Sequence, residues 1–276
     1  MREEACWRVI RVAGVVMMAS FCLFPWLYML LVSLNDRPDF LGTQGSIGLS
    51  GGHYLAVLTE RSLHFLDYLR NSAIVALSSA ALGTVIAALA AFAVTRLDLP
   101  GKAAVLFFVL AASMFPQISL TGYLFRLMTR LGWINTYQGL LFPYVAWTLP
   151  LSLWLLVSCF SQIPKELDKA ALVDGCTSWQ VLWRVLLPVA RPGIFAAFLL
   201  SFIAAFNEFL FALMLTTDHG ARTVPVGIAL FQGLHGEMPW GDIMAASIVA
   251  TAPIAAIVAL FQRHIVAGLT GGAVKG

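Results

Sequence analysis

The sequence predicts an all-α membrane protein that crosses the bilayer six times. Of its 276 residues, 60% are hydrophobic and only 11% are charged, whereas about 25% of the residues in soluble domains are charged. Six apolar stretches of about 20 residues follow one another, and each is long enough for a helix to cross the hydrocarbon core. Their apolar runs are continuous rather than alternating, which indicates helices instead of barrel strands.

We treat residues 1–276 as a single transmembrane domain with core helices at about 72–262. The first apolar stretch is too long for a signal peptide and no small-residue cleavage site follows it, so we expect it to stay attached. The predicted spans lie near Val12 to Leu34, Ser72 to Val94, Ala103 to Leu124, Gln138 to Cys159, Pro192 to Leu215 and Ile243 to Gln262.

The distribution of basic residues predicts the orientation. Six spans place both termini on one side, and 11 of the 17 Lys and Arg residues fall on that side. Because basic loops stay in the cytoplasm, we expect cytoplasmic termini. The segment 164–188 is then cytoplasmic, and the longer segments 35–70 and 216–242 are outer loops.

The cytoplasmic segment 164–188 reads as a helical hairpin. Pro164 suits the start of a helix, Gly175 allows the left-handed conformation that ends one, and Thr177 with Gln180 has capping-box spacing. We expect Pro188 to stop the second helix. Small and mildly apolar residues recur along one face of the first helix, which favours docking of another protein.

Two other interpretations of the hairpin follow from the residues alone. An amphipathic connector resting on lipid headgroups fits them about as well as a docking element. A DNA-reading helix-turn-helix fits them poorly, because Lys165 to Arg191 contains four basic and three acidic residues, too balanced for phosphate binding. We therefore expect no nucleic-acid partner.

Lys169-Ala170-Ala171, Gly175 and Val185-x-Leu187-Pro188 match the spacing E-A-A-x3-G-x9-I-x-L-P. This pattern resembles that of permease subunits of binding-protein-dependent ABC importers. The similarity extends over nearly the whole chain and favours the carbohydrate branch, near the smaller permease of maltose-type transporters. Further matching segments are Asn71-Ser72, Leu99-Pro100-Gly101-Lys102, Asn135-Thr136-Tyr137, Asn207 to Leu213, Arg222 to Gly227 and Gly268-Leu269-Thr270.

The resemblance implies a type I ABC importer permease fold in a bacterial or archaeal inner membrane. It also implies partners: a second, dissimilar permease, two copies or domains of an ABC ATPase that binds ATP and Mg²⁺, and an extracytoplasmic solute-binding protein. The hairpin is then the coupling helix that sits in a cleft of the ATPase. The implied coupling residues are Glu166, Lys169, Ala170, Ala171, Asp174, Gly175, Leu187 and Pro188.

Lys169 departs from the family pattern, which has glutamate at this position. A partner cleft with an acidic residue is one explanation. Glu166 lies one turn earlier on nearly the same face and is an alternative source of the anion.

The chain lacks the motifs of an enzyme. It contains no G-x-x-x-x-G-K-[ST], G-x-S-x-G or H-E-x-x-H, and its four cysteines have no ligand-like spacing. We therefore expect no cofactor, metal or catalytic residue in this chain, with ATP hydrolysed by a partner. The alternatives are an intramembrane enzyme that uses Glu208, or a permease for a non-sugar solute such as a glycerophosphodiester or polyol.

Glu208 is the only carboxylate within a predicted span. Because an ionised group in lipid is costly, it should face protein or a water-filled path. We expect Asn207 and Glu208 either to line the translocation path or to make an interhelical contact. In the outer segment 216–242, the resemblance implies contact with the binding protein through Gly233, His235 and Trp240.

Overall fold

The computed structural model describes residues 2–35, 48–231 and 238–270, and helices dominate these ranges. They comprise α1 (Arg2–Leu34), α2 (Gly52–Thr59), α3 (Phe65–Arg96), α4 (Lys102–Ser113), α5 (Gln117–Leu131), α6 (Tyr137–Gln162), α7 (Lys165–Val173), α8 (Ser178–Val181), α9 (Leu187–Val189), α10 (Arg191–Phe206), α11 (Leu210–Leu215), α12 (Val224–Ala229) and α13 (Trp240–Thr270). A short 3₁₀ turn (Arg61–Leu63) precedes α3, and a π-helical segment (Leu182–Leu186) joins α8 to α9.

The predicted all-α membrane architecture is confirmed. Four helices of the described ranges are long and apolar enough to cross a membrane, within α1, α3, α6 and α13. The number rises to six if each of two bent helix pairs counts as one span.

The third predicted span, Ala103 to Leu124, is not straight. It consists of α4 and α5, which meet at an angle of 91°. Pro116 forms the cap of α5 with an extended backbone. A proline disfavours helical backbone in the residue before it, which accounts for the break.

The fifth predicted span, Pro192 to Leu215, is interrupted near one end. Helix α10 ends at Phe206, and a short turn that contains Asn207 and Glu208 leads into α11. At its other end, α10 meets the helical segment Ser178–Val189 at 78°.

The chain divides into two compact units. The first comprises residues 1–65 and 228–253. Within it, α2 packs against α1, and the hydroxyls of Ser33 and Tyr54 lie 2.7 Å apart. The His53 ring lies between the Asp242 carboxylate, at 2.7 Å, and the carbonyl of Asn35, at 3.1 Å. A Cβ at residue 241 would overlap the His53 ring, so a larger residue there would have to displace the ring.

The second unit comprises residues 66–227 and 254–276. In it, α10 packs extensively on α6. The ends of α3 and α6 where these helices stop, at Arg96 and Gln162, are here called the hairpin end. The ends where they begin, near Asn71 and Tyr137, are called the loop end.

A buried apolar cluster joins the hairpin to the long helices at the hairpin end. Leu182 and Leu186 of the π segment are fully buried. They belong to a cluster with residues of α3, α6 and α10, which contains Ala87, Ala88, Ala91, Phe92, Leu153, Leu156, Phe160, Ile163, Ala190 and Ala197. Burying apolar surface of this kind is the main favourable contribution to holding the hairpin in place.

The hairpin has the predicted turn chemistry. Gly175 adopts a φ of +86°. The Thr177 hydroxyl accepts a hydrogen bond from the Gln180 N–H, and the Gln180 side chain accepts one from the Thr177 N–H. These are the two reciprocal bonds of a capping box.

The prediction that Pro188 stops the second helix is wrong. The chain remains helical through Val189, and the bend falls after it, at Ala190. The π segment before Pro188 supplies the physical reason. Its wider turn places the Leu187 N–H on the Leu182 carbonyl, and such a turn leaves room for a residue that has no N–H to donate.

Candidate functional site

The first candidate site is the exposed face of α7 at the hairpin end. Glu166, Lys169, Ala170, Asp174 and Gly175 are all exposed. Val173, on the same surface, is 87% exposed. This face thus presents small, apolar and oppositely charged side chains together.

The remaining predicted coupling residues are less accessible. Ala171 is buried on the opposite side of α7, and Leu187 and Pro188 are half-buried after the π segment. Ala171 therefore packs inward, and the exposed face consists of its neighbours.

A buried ion pair holds α7 from behind. The Asp168 carboxylate lies 2.5 Å from Nε of Arg96, in the last turn of α3, and both side chains are largely buried. The same guanidinium donates a hydrogen bond of 2.8 Å to the Ile163 carbonyl, just before α7. Arg96 therefore connects the end of α3 both to the end of α6 and to the hairpin.

Sequence reasoning missed this pair. The spacing i, i+3 of Asp168 and Ala171 indicates only that they share one side of the helix, and it does not identify Arg96 as the partner.

The second candidate site lies at the break between α10 and α11. The Glu208 side chain is 3% exposed. Its two oxygens accept hydrogen bonds from the backbone N–H groups of Phe211, at 2.8 Å, and Ala212, at 3.1 Å. The carboxylate thus caps the first turn of α11, where N–H groups have no partner within the helix.

Asn207 and Glu208 point to different environments. The Asn207 side chain is exposed, and its amide donates to the Ile203 carbonyl at 2.8 Å. Glu208 lies beside the buried Tyr144 ring of α6. The two adjacent polar residues therefore do not form one patch: one faces outward and the other stabilises the break.

A network of polar residues surrounds the segment 216–223 at the loop end. The Asn71 amide donates to the carbonyls of His219, at 2.9 Å, and Arg222, at 3.0 Å, and its oxygen accepts from the Tyr137 hydroxyl at 2.7 Å. The Ser72 hydroxyl accepts from the Val224 N–H at 2.7 Å.

Asn135 completes this network from the turn before α6. It has a left-handed backbone, with φ of 56°. Its side-chain oxygen accepts from the Thr217 N–H at 3.1 Å, and its amide donates to Asp218 at 2.8 Å. The Gly220 N–H, together with the Asn135 amide, lowers the pKa of Asp218 below its ordinary value. Both groups favour the ionised carboxylate by donating hydrogen bonds to it.

The three predicted binding-protein contacts are only partly described. Gly233 and His235 lie outside the described residues. Trp240 is the first residue of α13 and is 39% exposed. Among the described residues, no group of three or more His, Cys, Asp or Glu side chains is arranged to hold a metal ion.

Residues 83–271 match the family of inner-membrane components of binding-protein-dependent transport systems. The chain belongs to this family. It is therefore a membrane transport subunit rather than an enzyme.

Related proteins match along the whole chain. It is 54% identical to the trehalose/maltose transport system permease protein MalG of Thermococcus litoralis, with all of both chains covered. It is 38% identical to the trehalose transport system permease protein SugB of Mycobacterium tuberculosis, over 100% of this chain and 99% of that one. The sulfoquinovosyl glycerol transport system permease protein SmoH of Agrobacterium fabrum is also 38% identical, over 92% of this chain and 89% of that one.

A solved structure has the same fold. One chain of a bacterial ABC transporter that imports the acidic polysaccharide alginate superposes with a TM-score of 0.78 and 18% sequence identity. The match covers 95% of this chain and 98% of that one. The predicted ABC importer permease fold is thereby confirmed.

Proposed function

We propose that this chain is one of two dissimilar permease subunits of an ATP-driven importer for a di- or oligosaccharide. Its full-length similarity to the trehalose/maltose permease of Thermococcus litoralis supports this substrate class. An extracytoplasmic binding protein delivers the sugar, and two ATPase domains bind ATP and Mg²⁺. Trehalose and maltose are the first sugars to test.

The hairpin end lies in the cytoplasm and the loop end lies outside. The excess of Lys and Arg on the side of the hairpin and of both termini supports this orientation. It makes the chain a multi-pass protein of the cytoplasmic membrane, with the exposed face of α7 turned toward the ATPase.

The exposed face of α7 is the contact that couples this chain to ATP hydrolysis. The single observation that carries this role is the buried Arg96–Asp168 pair, because it fixes α7 to α3 while Glu166, Lys169 and Ala170 remain exposed. A docking helix that is fixed from behind moves together with its membrane helix. Closure of the ATPase is thereby transmitted to the long helices, which alternate between inward-facing and outward-facing arrangements.

The break between α10 and α11 contributes to the sugar path. Asn207 offers an exposed amide to the path, and Glu208 keeps the break in shape by capping α11. On the outer side, Gly233, His235 and Trp240 contact the binding protein.

Reconstitution tests the substrate class. The chain is reconstituted in liposomes with its partner permease, ATPase and binding protein, and ATP hydrolysis is measured with a sugar panel. We expect trehalose or maltose to stimulate hydrolysis. A response only to a glycerol glycoside, a glycerophosphodiester or a polyol would move the assignment to another solute of the same family, and SmoH gives a reason to include the first of these.

Lys169 provides a test of the coupling contact. If it meets an acidic residue of the ATPase, Lys169→Glu will lower sugar-stimulated ATP hydrolysis and uptake while leaving the subunits assembled. The double variant Glu166→Lys/Lys169→Glu is the matched control, because it keeps the net charge of the face. Full activity of both variants would show that this charge carries little of the coupling.

A further inference from the structure

A cavity at the hairpin end is not used by the coupling contact. It lies between the last turn of α3, the first turn of α4 and the last turns of α6, and it reaches the first residue of α7. Its volume is about 380 Å³. Small-molecule sites in proteins typically have volumes of about 300–1,000 Å³.

Basic side chains from three helices line this cavity. Arg96 closes the α3 side, Lys102 begins α4, and Lys165 begins α7. The described residues that line the cavity include no carboxylate. The site therefore has the charge expected for an anionic ligand.

Arg96 is held in position before any ligand arrives. Its contacts with Asp168 and with the Ile163 carbonyl fix the guanidinium. Asp168 lines a neighbouring cavity together with Arg96 and Lys165, and it does not line this one. Since Arg96 is paired with Asp168, the positive charges that attract an anion are those of Lys102 and Lys165.

The cavity becomes apolar one helical turn deeper in the membrane. Along α4, Lys102 is followed by Leu106, and along α6, Ser161 is preceded by Val157. Both pairs are spaced i, i+4, so each places a polar group at the rim and an apolar group below it on the same helix face. A free phosphate would contact only the polar rim, whereas a phospholipid would place its headgroup at the rim and an acyl chain on the apolar wall below it.

We propose that this cavity binds an anionic phospholipid of the inner leaflet, with the phosphate at Lys102 and Lys165 and an acyl chain along Leu106 and Val157. Basic pockets between membrane helices on the cytoplasmic side recognise lipid headgroups in this way. The placement in the inner leaflet rests on the proposed function. Because Lys165 belongs to α7, the bound lipid contacts the coupling hairpin directly.

Lipid retention by the purified complex tests the proposal. The full chain, purified with its partner subunits in detergent, is incubated with phosphatidylglycerol or with phosphatidylcholine of the same acyl chains, and bound lipid is counted by native mass spectrometry. We expect phosphatidylglycerol to be retained preferentially, with retention falling about fivefold for Lys102→Gln and again for Lys165→Gln. Equal retention of the two lipids, or unchanged retention in the double variant, would overturn the proposal.

Two further variants separate the contributions. Arg184→Gln removes an exposed cation of the hairpin that does not line the cavity, so retention should not change. Leu106→Trp narrows the apolar wall and keeps every charge, and it should reduce retention as strongly as loss of one lysine. If Leu106→Trp retains lipid normally while the lysine variants do not, the site binds phosphate alone, and the lipid assignment is wrong.

Lipid retention is measured without ATP, sugar or binding protein. If the complex retains phosphatidylglycerol but no sugar stimulates its ATP hydrolysis, the proposed function is refuted and the lipid site is still supported. The opposite result would refute only the lipid site. Copurification of the partner subunits and an unchanged melting temperature show that each variant is folded.

Discussion

The two ends of the second unit are stabilised by different means. At the hairpin end, apolar packing by Leu182 and Leu186 is combined with one buried ion pair, Arg96–Asp168. At the loop end, Asn71 and Ser72 form uncharged hydrogen bonds, mostly to backbone carbonyls and N–H groups, and the Asp218 carboxylate accepts from the Asn135 amide and the Gly220 N–H. The buried ion pair joins two helices through their side chains, whereas bonds to the backbone fix the conformation of one loop. The difference fits the proposed roles of a hairpin that transmits movement and a loop that keeps its shape.

The strongest test of this comparison removes the positive partner of the ion pair. Arg96→Met leaves the Asp168 carboxylate buried without a counter-ion, which costs about 3–5 kcal/mol. We expect the melting temperature of the purified complex to fall by roughly 2–4 °C per kcal/mol, together with loss of sugar-stimulated ATP hydrolysis.

The double variant Arg96→Met/Asp168→Leu serves as the control, because apolar replacement of both partners removes the unpaired charge. It should recover most of the melting temperature. Recovery of hydrolysis as well would show that apolar packing alone transmits the movement of α7.

At the loop end, Asn71→Leu is expected to have a smaller effect. It leaves the Tyr137 hydroxyl and two backbone carbonyls without their partner, which costs about 1–3 kcal/mol. The readout is the melting temperature together with stimulation of ATP hydrolysis by the binding protein. Tyr137→Phe removes one of the three bonds and should retain most of both. If Asn71→Leu lowered stability as much as Arg96→Met, the hydrogen bonds of the loop end would contribute as much to stability as the ion pair of the hairpin end, and the comparison would fail.

Variants of Glu208 test whether a buried carboxylate contributes to stability away from the hairpin end. Glu208→Gln keeps one acceptor oxygen for the α11 cap and turns an amide donor toward the other N–H, so we expect a loss of about 1 kcal/mol. Glu208→Ala removes both acceptors and should cost more. Thermal unfolding of the two variants, measured side by side, checks this order, and an alanine variant as stable as the wild type would show that the cap is dispensable.

The smallest effect is expected from acidification of the loop end. Because the pKa of Asp218 is lowered, its ionised form contributes stability at pH values above the usual Asp pKa of about 3.9, and this contribution is lost as the pH falls through the lowered pKa of the folded state. A spin label at Thr217→Cys, in a background without the native cysteines, reports the mobility of the loop. Mobility should stay low down to about pH 4 and rise below it.

Asp218→Asn is the matched variant for this titration, because its side chain does not ionise. Its label mobility should be constant over the same pH range. Parallel pH profiles in both proteins would mean that Asp218 does not control the loop.

The sequence predicted most of the hairpin because its signals are local. Gly175 and the Thr177–Gln180 box specify their own backbone conformations. The Arg96–Asp168 pair was out of reach, since it joins residues 72 positions apart across two helices. The role of Pro188 was misjudged because a π-helical segment leaves no mark in residue spacing.

The loop end shows the same limit. Asn71, Asn135 and Arg222 stood out as parts of matching segments, yet nothing in their spacing indicated that they meet. Their bonds run between segments separated by 66 to 151 positions. The polarity of Asn207 and Glu208 was recognised, but only the folded chain shows that Glu208 caps α11.

The π segment Leu182–Leu186 sets the rotation of the hairpin relative to α10 about the helix axis. A π turn adds one residue to a regular helix, and each residue of an α-helix corresponds to a rotation of about 100°. Deleting a single residue there would restore an ordinary α-helix while turning everything before it by that angle. The identities of Glu166, Lys169 and Ala170 would be unchanged, but the helix face that carries them would point in another direction, so one inserted residue sets the direction of the exposed face of α7.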